Sequence, residues 1–396
     1  MVRLGLKENW KQFTLLVIIN AFVGGMIGLE RSVLPQLAEQ AFGIASKTAI
    51  LSFIITFGIT KAVVNYFTGK FANSLGRKKL LIIGWFFALP VPFILIYAPN
   101  WSWIVAANVL LGINQGLTWS IAVMMKIDLV GDKNRGLAVG INEFAGYLSV
   151  GIVSFLTGYI ANYYGVRPYP FYLGIGFAIV GFLLSALFVK DTRQHVSKEN
   201  KESSILPLSS PFWDTTFRHK SLSAVTQAGL INNLNDGMIW GLLPLMLLAK
   251  HFTPEQIGII TAIYPAVWGL SQLFTGLLSD VYSKKGLLFW GMLLQAVGII
   301  GLIGATTFTH FVVIGTALGG GTALVYPTFL SAIAEHTTPA QRAESLGAFR
   351  FWRDMGYAIG ALLTGVIADF LGLSISIVSI GGLTALSAFV VMFRMK

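Results

Sequence analysis

The sequence predicts an all-α integral membrane protein with twelve transmembrane helices in two pseudo-symmetric six-helix bundles. Three observations carry this reading. Of 396 residues, 55% are hydrophobic and only 11% are charged, where a soluble domain has about a quarter charged. Apolar runs of the length that crosses a bilayer as a helix, roughly 20 residues, follow one another along the whole chain. The second half of the chain also repeats the first, element by element.

The spans lie near 12–38, 47–72, 79–98, 101–126, 137–161, 169–189, 221–249, 255–280, 286–306, 309–334, 343–368 and 372–393. The first runs on to Leu37 without a convincing cleavage site, which predicts a retained helix rather than a removed signal peptide. The 28 Lys and Arg residues test the topology. With both termini inside, 21 of them, Lys126 included, fall on the cytoplasmic side and three (Lys47, Arg167 and Lys250) fall outside. Arg31, Lys61, Arg350 and Arg353 are left within spans. This bias follows the positive-inside rule and predicts a multi-pass protein of the cytoplasmic (inner) membrane with cytoplasmic termini. It also explains the net charge of +11 without nucleic acid, because the basic residues sit in short segments between spans and form no single patch. The long polar stretch divides the chain into a first bundle (1–189), a cytoplasmic linker (190–220) and a second bundle (221–396). Phe212, Trp213 and Phe217 in the linker read either as a short piece lying on the membrane surface or as incidental aromatics in a tether.

The repeat is specific. Asn20, Gly25, Met26 and Ile27 match Asn232, Gly237, Met238 and Ile239 at an offset of 212. Gly112, Arg135, Gly140 and the run 157–161 match Gly319, Arg342, Gly347 and the run 364–368 at an offset of 207. Two short basic turns repeat as well. One is Gly69-Lys70-Phe71-Ala72-Asn73-Ser74-Leu75-Gly76-Arg77-Lys78-Lys79, after the second span. The other is Gly276-Leu277-Leu278-Ser279-Asp280-Val281-Tyr282-Ser283-Lys284-Lys285, after the eighth.

This turn resembles the loop between the second and third helices of the major facilitator superfamily, Gly-x-x-x-Asp-x-x-Gly-Arg-Lys. With twelve spans and a central linker, the resemblance covers essentially the whole chain. It implies a transporter whose halves alternate around a mid-membrane site. It also implies that Gly69, Asn73, Gly76, Arg77, Lys78, Gly276, Asp280 and Lys284 belong to conformational-switch loops. The chain departs from the pattern in three places. Asn73 stands where the family has an acid set against a helix N-terminus of the other half, so a weaker latch is expected there, while Asp280 keeps the charge. Asn108 stands where many proton-linked members have Arg. Gly146-Tyr147 replaces the Gly-Pro pair of drug antiporters. The last two weaken a drug–proton antiporter reading and leave the fold untouched.

A charge inside the bilayer is costly enough to be a functional hypothesis by default, and eight residues qualify: Glu30, Arg31, Lys61, Glu143, Asp236, Arg350, Arg353 and Asp354. At about 1.5 Å of rise per residue, Lys61 and Asp354 both come near the midplane. The resemblance sets the second and eleventh helices face to face and so allows a Lys61–Asp354 contact, either as part of the transport cycle or as a static pair. Arg350, four residues before Asp354, is a competing partner. Asp236 lies in Asn232-Asn233-Leu234-Asn235-Asp236-Gly237, which points to a cavity wall and a broken helix. Burial favours the neutral form of a carboxyl, so Asp236, Glu143, Glu30 and Asp354 are the candidates for carrying a proton, with salt-bridge or packing roles as the alternative. Arg31, Lys61, Arg350 and Arg353, with Asn232, Asn235, Trp240 and Trp352, are the substrate-binding candidates. Arg suits carboxylate or phosphate, unless Asp354 and Glu143 neutralise the cations and leave an amphipathic pocket.

With no cysteine in the chain, disulfides, thiolate metal sites and thiol catalysis are excluded. The five histidines fall in or beside loops without metal-ligand spacing, and no nucleotide-binding, kinase or hydrolase motif occurs. No enzyme activity, metal or cofactor is expected. The reading is a monomeric secondary transporter whose partners are a small-molecule substrate, protons and the lipid bilayer, with proton coupling expected and export favoured. Its alternatives are uptake of an organic anion and translocation of a lipid-linked substrate. A receptor that has kept the fold without transport has no need of eight buried charges. The fold does not name the substrate.

Overall fold

A computed structural model describes residues 4–130, 135–195 and 208–396. Twelve membrane-length rods follow in chain order. The first is Trp10–Arg31 continued by Leu34–Phe42, the second Ser52–Leu75, and the third Arg77–Ala88 continued by Val91–Tyr97. The fourth to sixth are Trp101–Val130, Arg135–Tyr164 and Tyr172–Leu187. The seventh to ninth are Lys220–Ala249, Pro254–Val281 and Lys284–Gly301. Phe308–Glu335, Pro339–Leu371 and Leu373–Arg394 complete the set. Helix starts are written locally: Ser46, Thr253, Ser283, Thr307 and Thr338 each accept a backbone N–H of the first turn, the ordinary N-cap arrangement. Pro90 interrupts the third rod, because proline gives up a backbone donor.

Among the described residues, ten rods are apolar enough throughout to be recognised as membrane spans by composition. The second and seventh are the exceptions, and they carry Lys61 and the 232–237 polar run. Their polarity is turned inward: Lys61, Asn65, Asn232, Asn233, Asn235 and Asp236 are all buried.

The seventh rod is continuous through 232–237, which corrects the expected break. Asn232 and Asn235 donate to Gln295 Oε1 at 3.5 and 3.1 Å, and the Thr384 hydroxyl donates to Asn235 Oδ1 at 2.7 Å. The side chains find partners on the ninth and twelfth rods, so the helical backbone ladder stays whole. The interruption falls instead in the first rod, at Ser32 and Val33, just after Glu30 and Arg31.

The first six rods pack among themselves, as do the last six, and the two groups meet along the second and eleventh rods and the fifth and eighth. The start of the first rod and the end of the twelfth lie on one face, as twelve alternating rods require. Toward the opposite, far face the seam is tight. A Cβ on Gly158 would come 2.6 Å from Gly258 Cα, so glycine is required where these two backbones touch, and Gly241 packs against the Leu51 side chain. At that face Asp369, near the end of the eleventh rod, accepts the Ser46 hydroxyl at 2.9 Å and the backbone N–H groups of Lys47 and Thr48 at 2.6 and 3.0 Å. A carboxylate of one half thus caps a helix start of the other, where helix-end charge favours an anion.

Asp369→Asn is expected to loosen this seam. The chain has no native thiol, so a single Leu51→Cys reports opening cleanly. Because Asp369 is exposed and water competes for its bonds, the labelling rate is expected to rise about threefold over the Asp369 background. An unchanged rate removes the cap from the closure.

Residues 196–207 of the linker lie outside the described residues. The remainder forms the turns Pro211–Trp213 and Asp214–Arg218. Phe212 stands edge-on to Tyr66, while Trp213 and Phe217 stack on each other and are exposed. The segment is therefore docked on the second and eleventh rods and presents two aromatics outward.

Candidate functional site: a charged seam between the halves

The contact that the resemblance allows does form. Lys61 Nζ stands 3.5 Å from Asp354 Oδ1, with both side chains buried. The partner expected to compete, Arg350, turns away and donates to Ser120 Oγ at 2.9 Å. That hydroxyl donates to Asn65 Oδ1, and Asn65 Nδ2 donates to Asp354 Oδ2. A polar chain thus runs from the eleventh rod through the fourth and second and back to the eleventh. Asn233 Nδ2 adds a 3.5 Å contact to Asp354 Oδ1, and Arg353 Nη1 lies 3.8 Å from the same oxygen. Lys61, Asn65, Trp119, Ser120, Tyr147, Tyr326, Arg350, Arg353 and Asp354 line a mid-seam pocket of about 20 Å³, room for about one water. A pocket of this size admits no organic solute.

The repeat makes the asymmetry of the seam visible. At the offset of 207, Lys61 corresponds to Trp268 and Asp354 to Tyr147. The second–eleventh contact is an ion pair. Its mate across the fifth and eighth rods is a stacked Tyr147–Trp268 pair with centroids 3.5 Å apart and planes 24° from parallel.

Glu143 borders the pocket from the first bundle. Its Oε1 accepts Trp119 Nε1 at 3.0 Å and Asn142 Nδ2 at 2.9 Å, while its Oε2 is buried with no hydrogen-bond partner. Behind it, Lys126 Nζ donates to Asn142 Oδ1. The topology count put Lys126 on the cytoplasmic side, at the end of the fourth span. The structure corrects this, because the fourth rod continues to Val130 and Lys126 is 0% exposed. Its amine points into the bundle toward Asn142 and Glu143, which the fifth rod supplies.

Nearer the far face, Glu30 Oε1 accepts Asn108 Nδ2 at 3.3 Å. Arg31 lies over Trp240 of the other half, 3.8 Å from its centroid, and Trp240 stacks on Tyr357 at 5.0 Å. Arg31 and Trp240 therefore do meet at the seam. Asp236 accepts the Tyr264 hydroxyl, which also bonds Thr322 Oγ1 at 3.1 Å, and Asp236 Oδ2 is left unpartnered. The structure does not bring the remaining candidates to the seam. Asn232 and Asn235 face Gln295 and Thr384 inside the second bundle, and Trp352 Nε1 donates to Thr216 Oγ1 of the linker at 3.2 Å.

For the switch loops, Gly76 takes a φ of 89°, a conformation open to glycine at little cost. Gly276 faces open space. The side chains of Asn73 and Asp280, and the surroundings of Gly69, lie outside the described residues, so the latch expected of them does too. The described contacts tie each loop to its own half. Arg77 Nε donates to Asp128 Oδ2 at 2.8 Å and Thr192 Oγ1 to the same oxygen at 2.6 Å. The Lys78 N–H donates to Asp191 Oδ2 at 3.2 Å. Burial pushes the Asp191 carboxyl up, but the backbone N–H bonds from Arg193 and Lys78 and the Arg193 guanidinium outweigh it and hold the group below its ordinary range. In the second copy Lys284 pairs with Glu335. Both members of that pair stand 207 residues after Arg77 and Asp128, so the bond itself is repeated.

Sequence reasoning missed Asn65, Ser120 and the burial of Lys126. Asn65 was findable, standing one helical turn after Lys61 on the same face. Ser120 comes from another rod at long range and leaves no local signal.

The family model described as Major Facilitator Superfamily matches residues 14–232 and 225–396. The chain is similar to a "Proton-coupled antiporter flippase LtaA" of Staphylococcus saprophyticus, 25% identical over 92% of this chain and 88% of the relative. It is also similar to a "Multi-drug resistance efflux pump PmrA" of Streptococcus pneumoniae, 23% identical over 91% of this chain and 81% of the relative. Among solved structures, the human organic anion transporter MFSD10 (TETRAN) has the same fold, with a TM-score of 0.72 at 16% identity over 96% of this chain and 99% of that one.

Proposed function

Since the chain belongs to the major facilitator superfamily, we propose that it carries a small organic solute out across the cell membrane by rocking its two bundles about the charged seam, driven by protons. Secondary transport of an exporter-like kind is common to the relatives. Proton drive, the cytoplasmic placement of both termini and a monomeric working unit are part of this proposal. The observation that carries it is the buried Lys61–Asp354 pair at the contact between the bundles. A seam that never parted could be filled with apolar side chains at no loss of stability, whereas charges are useful where partners change. Glu143 and Asp236 are the proposed proton carriers. Each keeps one buried carboxylate oxygen without a partner, so each has room to take a proton. The naming of a 25% identical relative as a proton-coupled antiporter supports the same direction.

The test is flux in proteoliposomes with and without an imposed pH gradient, screening organic anions against lipophilic cations. Glu143→Gln and Asp236→Asn are each expected to lower gradient-driven flux at least tenfold while sparing gradient-free exchange of solute for solute. An unchanged pH dependence in both variants rejects proton coupling through these groups.

A further inference from the structure

We infer that the solute taken by this seam is an organic anion, with a carboxylate, sulfonate or phosphate head held by Arg353 and Arg350 and a flat apolar body laid on Trp119, Tyr147, Trp268 and Tyr326. This rests on the transport reading above and goes further, because it assigns the chemical class.

The first support is an unanswered donor edge. Arg353 is 4% exposed, and its Nε and Nη2 meet no hydrogen-bond acceptor. Those two nitrogens form one edge of the guanidinium, the fork that matches a carboxylate or phosphate with two parallel bonds. Buried donors are rarely left without partners, and the residue that carries this pair lines the mid-seam pocket. The nearest carboxylate, on Asp354, is 3.8 Å from a different nitrogen, Nη1, and already serves Lys61, Asn65 and Asn233.

The second support is the charge balance. The pocket residues include three cations, Lys61, Arg350 and Arg353, and one acid, Asp354. Counting Glu143 at the pocket's edge also brings in the buried Lys126 amine behind Asn142, so the excess of two positive charges stands. The scaffold does not call for these cations. At the offset of 207, Arg353 corresponds to Gly146 and Arg350 to Glu143, so both arginines are particular to one half of a repeated framework.

The third support is an aromatic wall that both halves build. Trp119 and Tyr147 lie 5.1 Å apart, Tyr147 stacks on Trp268 at 3.5 Å, and Trp268 meets Tyr326 at 6.0 Å. Arg353 stands 4.3 Å over Tyr326 and 5.9 Å over Trp268. A guanidinium beside stacked rings suits a ligand that is anionic at one end and flat at the other. In the closed form the rings fill the space, and Nε and Nη2 of Arg353 are without an acceptor. Parting the bundles unstacks Tyr147 from Trp268 and opens both ends of the site together.

Two measurements on the purified full-length protein test this: protection from thermal unfolding in detergent, and flux in proteoliposomes. The probes are 1-naphthyl phosphate, naphthalene-2-sulfonate, tetraphenylphosphonium, and phosphatidylglycerol against phosphatidylcholine. Protection of the wild type by the naphthyl anions and not by tetraphenylphosphonium is expected. Arg353→Gln is expected to weaken that protection at least tenfold, and Arg353→Lys, which keeps the charge and loses the fork, several-fold. If Arg353→Gln does not fold, Arg350→Gln and Arg353→Lys give the same reading. Protection by phosphatidylglycerol alone, with the same dependence on Arg353, would assign the anionic head to a lipid instead of a soluble solute. The inference is overturned if the anions protect neither protein, or protect wild type and variants alike. Flux of tetraphenylphosphonium that survives Arg353→Gln overturns the anion and leaves the transport reading standing. Anion binding that depends on Arg353, without flux of any probe, does the reverse.

Discussion

Asp354→Ala is expected to abolish transport and to cost about 3–5 kcal/mol of folding free energy, the range for stranding one partner of a buried ion pair. Asp354 takes contacts from Lys61, Asn65, Asn233 and Arg353 at once, so its removal leaves donors of the second, seventh and eleventh rods without an acceptor. The stranded Lys61 amine is the costliest of these. A Lys61→Met/Asp354→Leu double variant is therefore expected to recover stability relative to Asp354→Ala, because an apolar pair of similar volume fills the gap, while transport stays absent. Denaturant unfolding in detergent and flux in proteoliposomes separate the two effects. Wild-type flux in Asp354→Ala would remove the pair from the mechanism. A double variant no more stable than the single one would show that Lys61 and Asp354 are not energetically coupled.

Arg77→Ala and Lys284→Ala are expected to differ severalfold in cost although the repeat makes them equivalents. The Arg77–Asp128 pair is buried, with side-chain exposures of 7% and 11%, and Arg77 Nη1 also donates to the Ala72 carbonyl at 3.1 Å. In the Lys284–Glu335 pair, Glu335 is 55% exposed. A double-mutant cycle is expected to give about 3 kcal/mol or more for the first pair and at most about 1 kcal/mol for the second, where water and salt compete. Equal coupling energies in the two cycles would contradict the burial argument. Added salt is expected to erode only the second.

The eight intramembrane charges named from sequence were legible for one reason: an apolar run leaves any charge conspicuous. Lys126 escaped because it stands close to the end of its run, where sequence places an amine in the headgroup region. The helix in fact extends four residues further, and the side chain turns inward to Asn142. The polar run at 232–237 was conspicuous too, yet its consequence was misjudged. Local polarity resembles a helix break when the partners are unknown, and Gln295 and Thr384, which keep the helix whole, lie far along the chain.

The sequence by itself determined the twelve spans, the two-fold repeat and the mid-membrane depth of Lys61 and Asp354, whereas their meeting was only allowed by the family resemblance and was decided by the structure. Spans, repeat and depth depend on hydrophobic run lengths, on internal similarity and on position along a helix of fixed rise, all of which are properties of the chain taken alone. Which face of each rod meets which neighbour was decided only in the tertiary structure. Rotation about a helix axis is set by packing against other rods, and no local pattern records it when a span is apolar all round. For that reason the structure alone could remove Asn232, Asn235 and Trp352 from the seam, add Asn65 and Ser120 to it, and leave Arg353 with its donor edge unanswered.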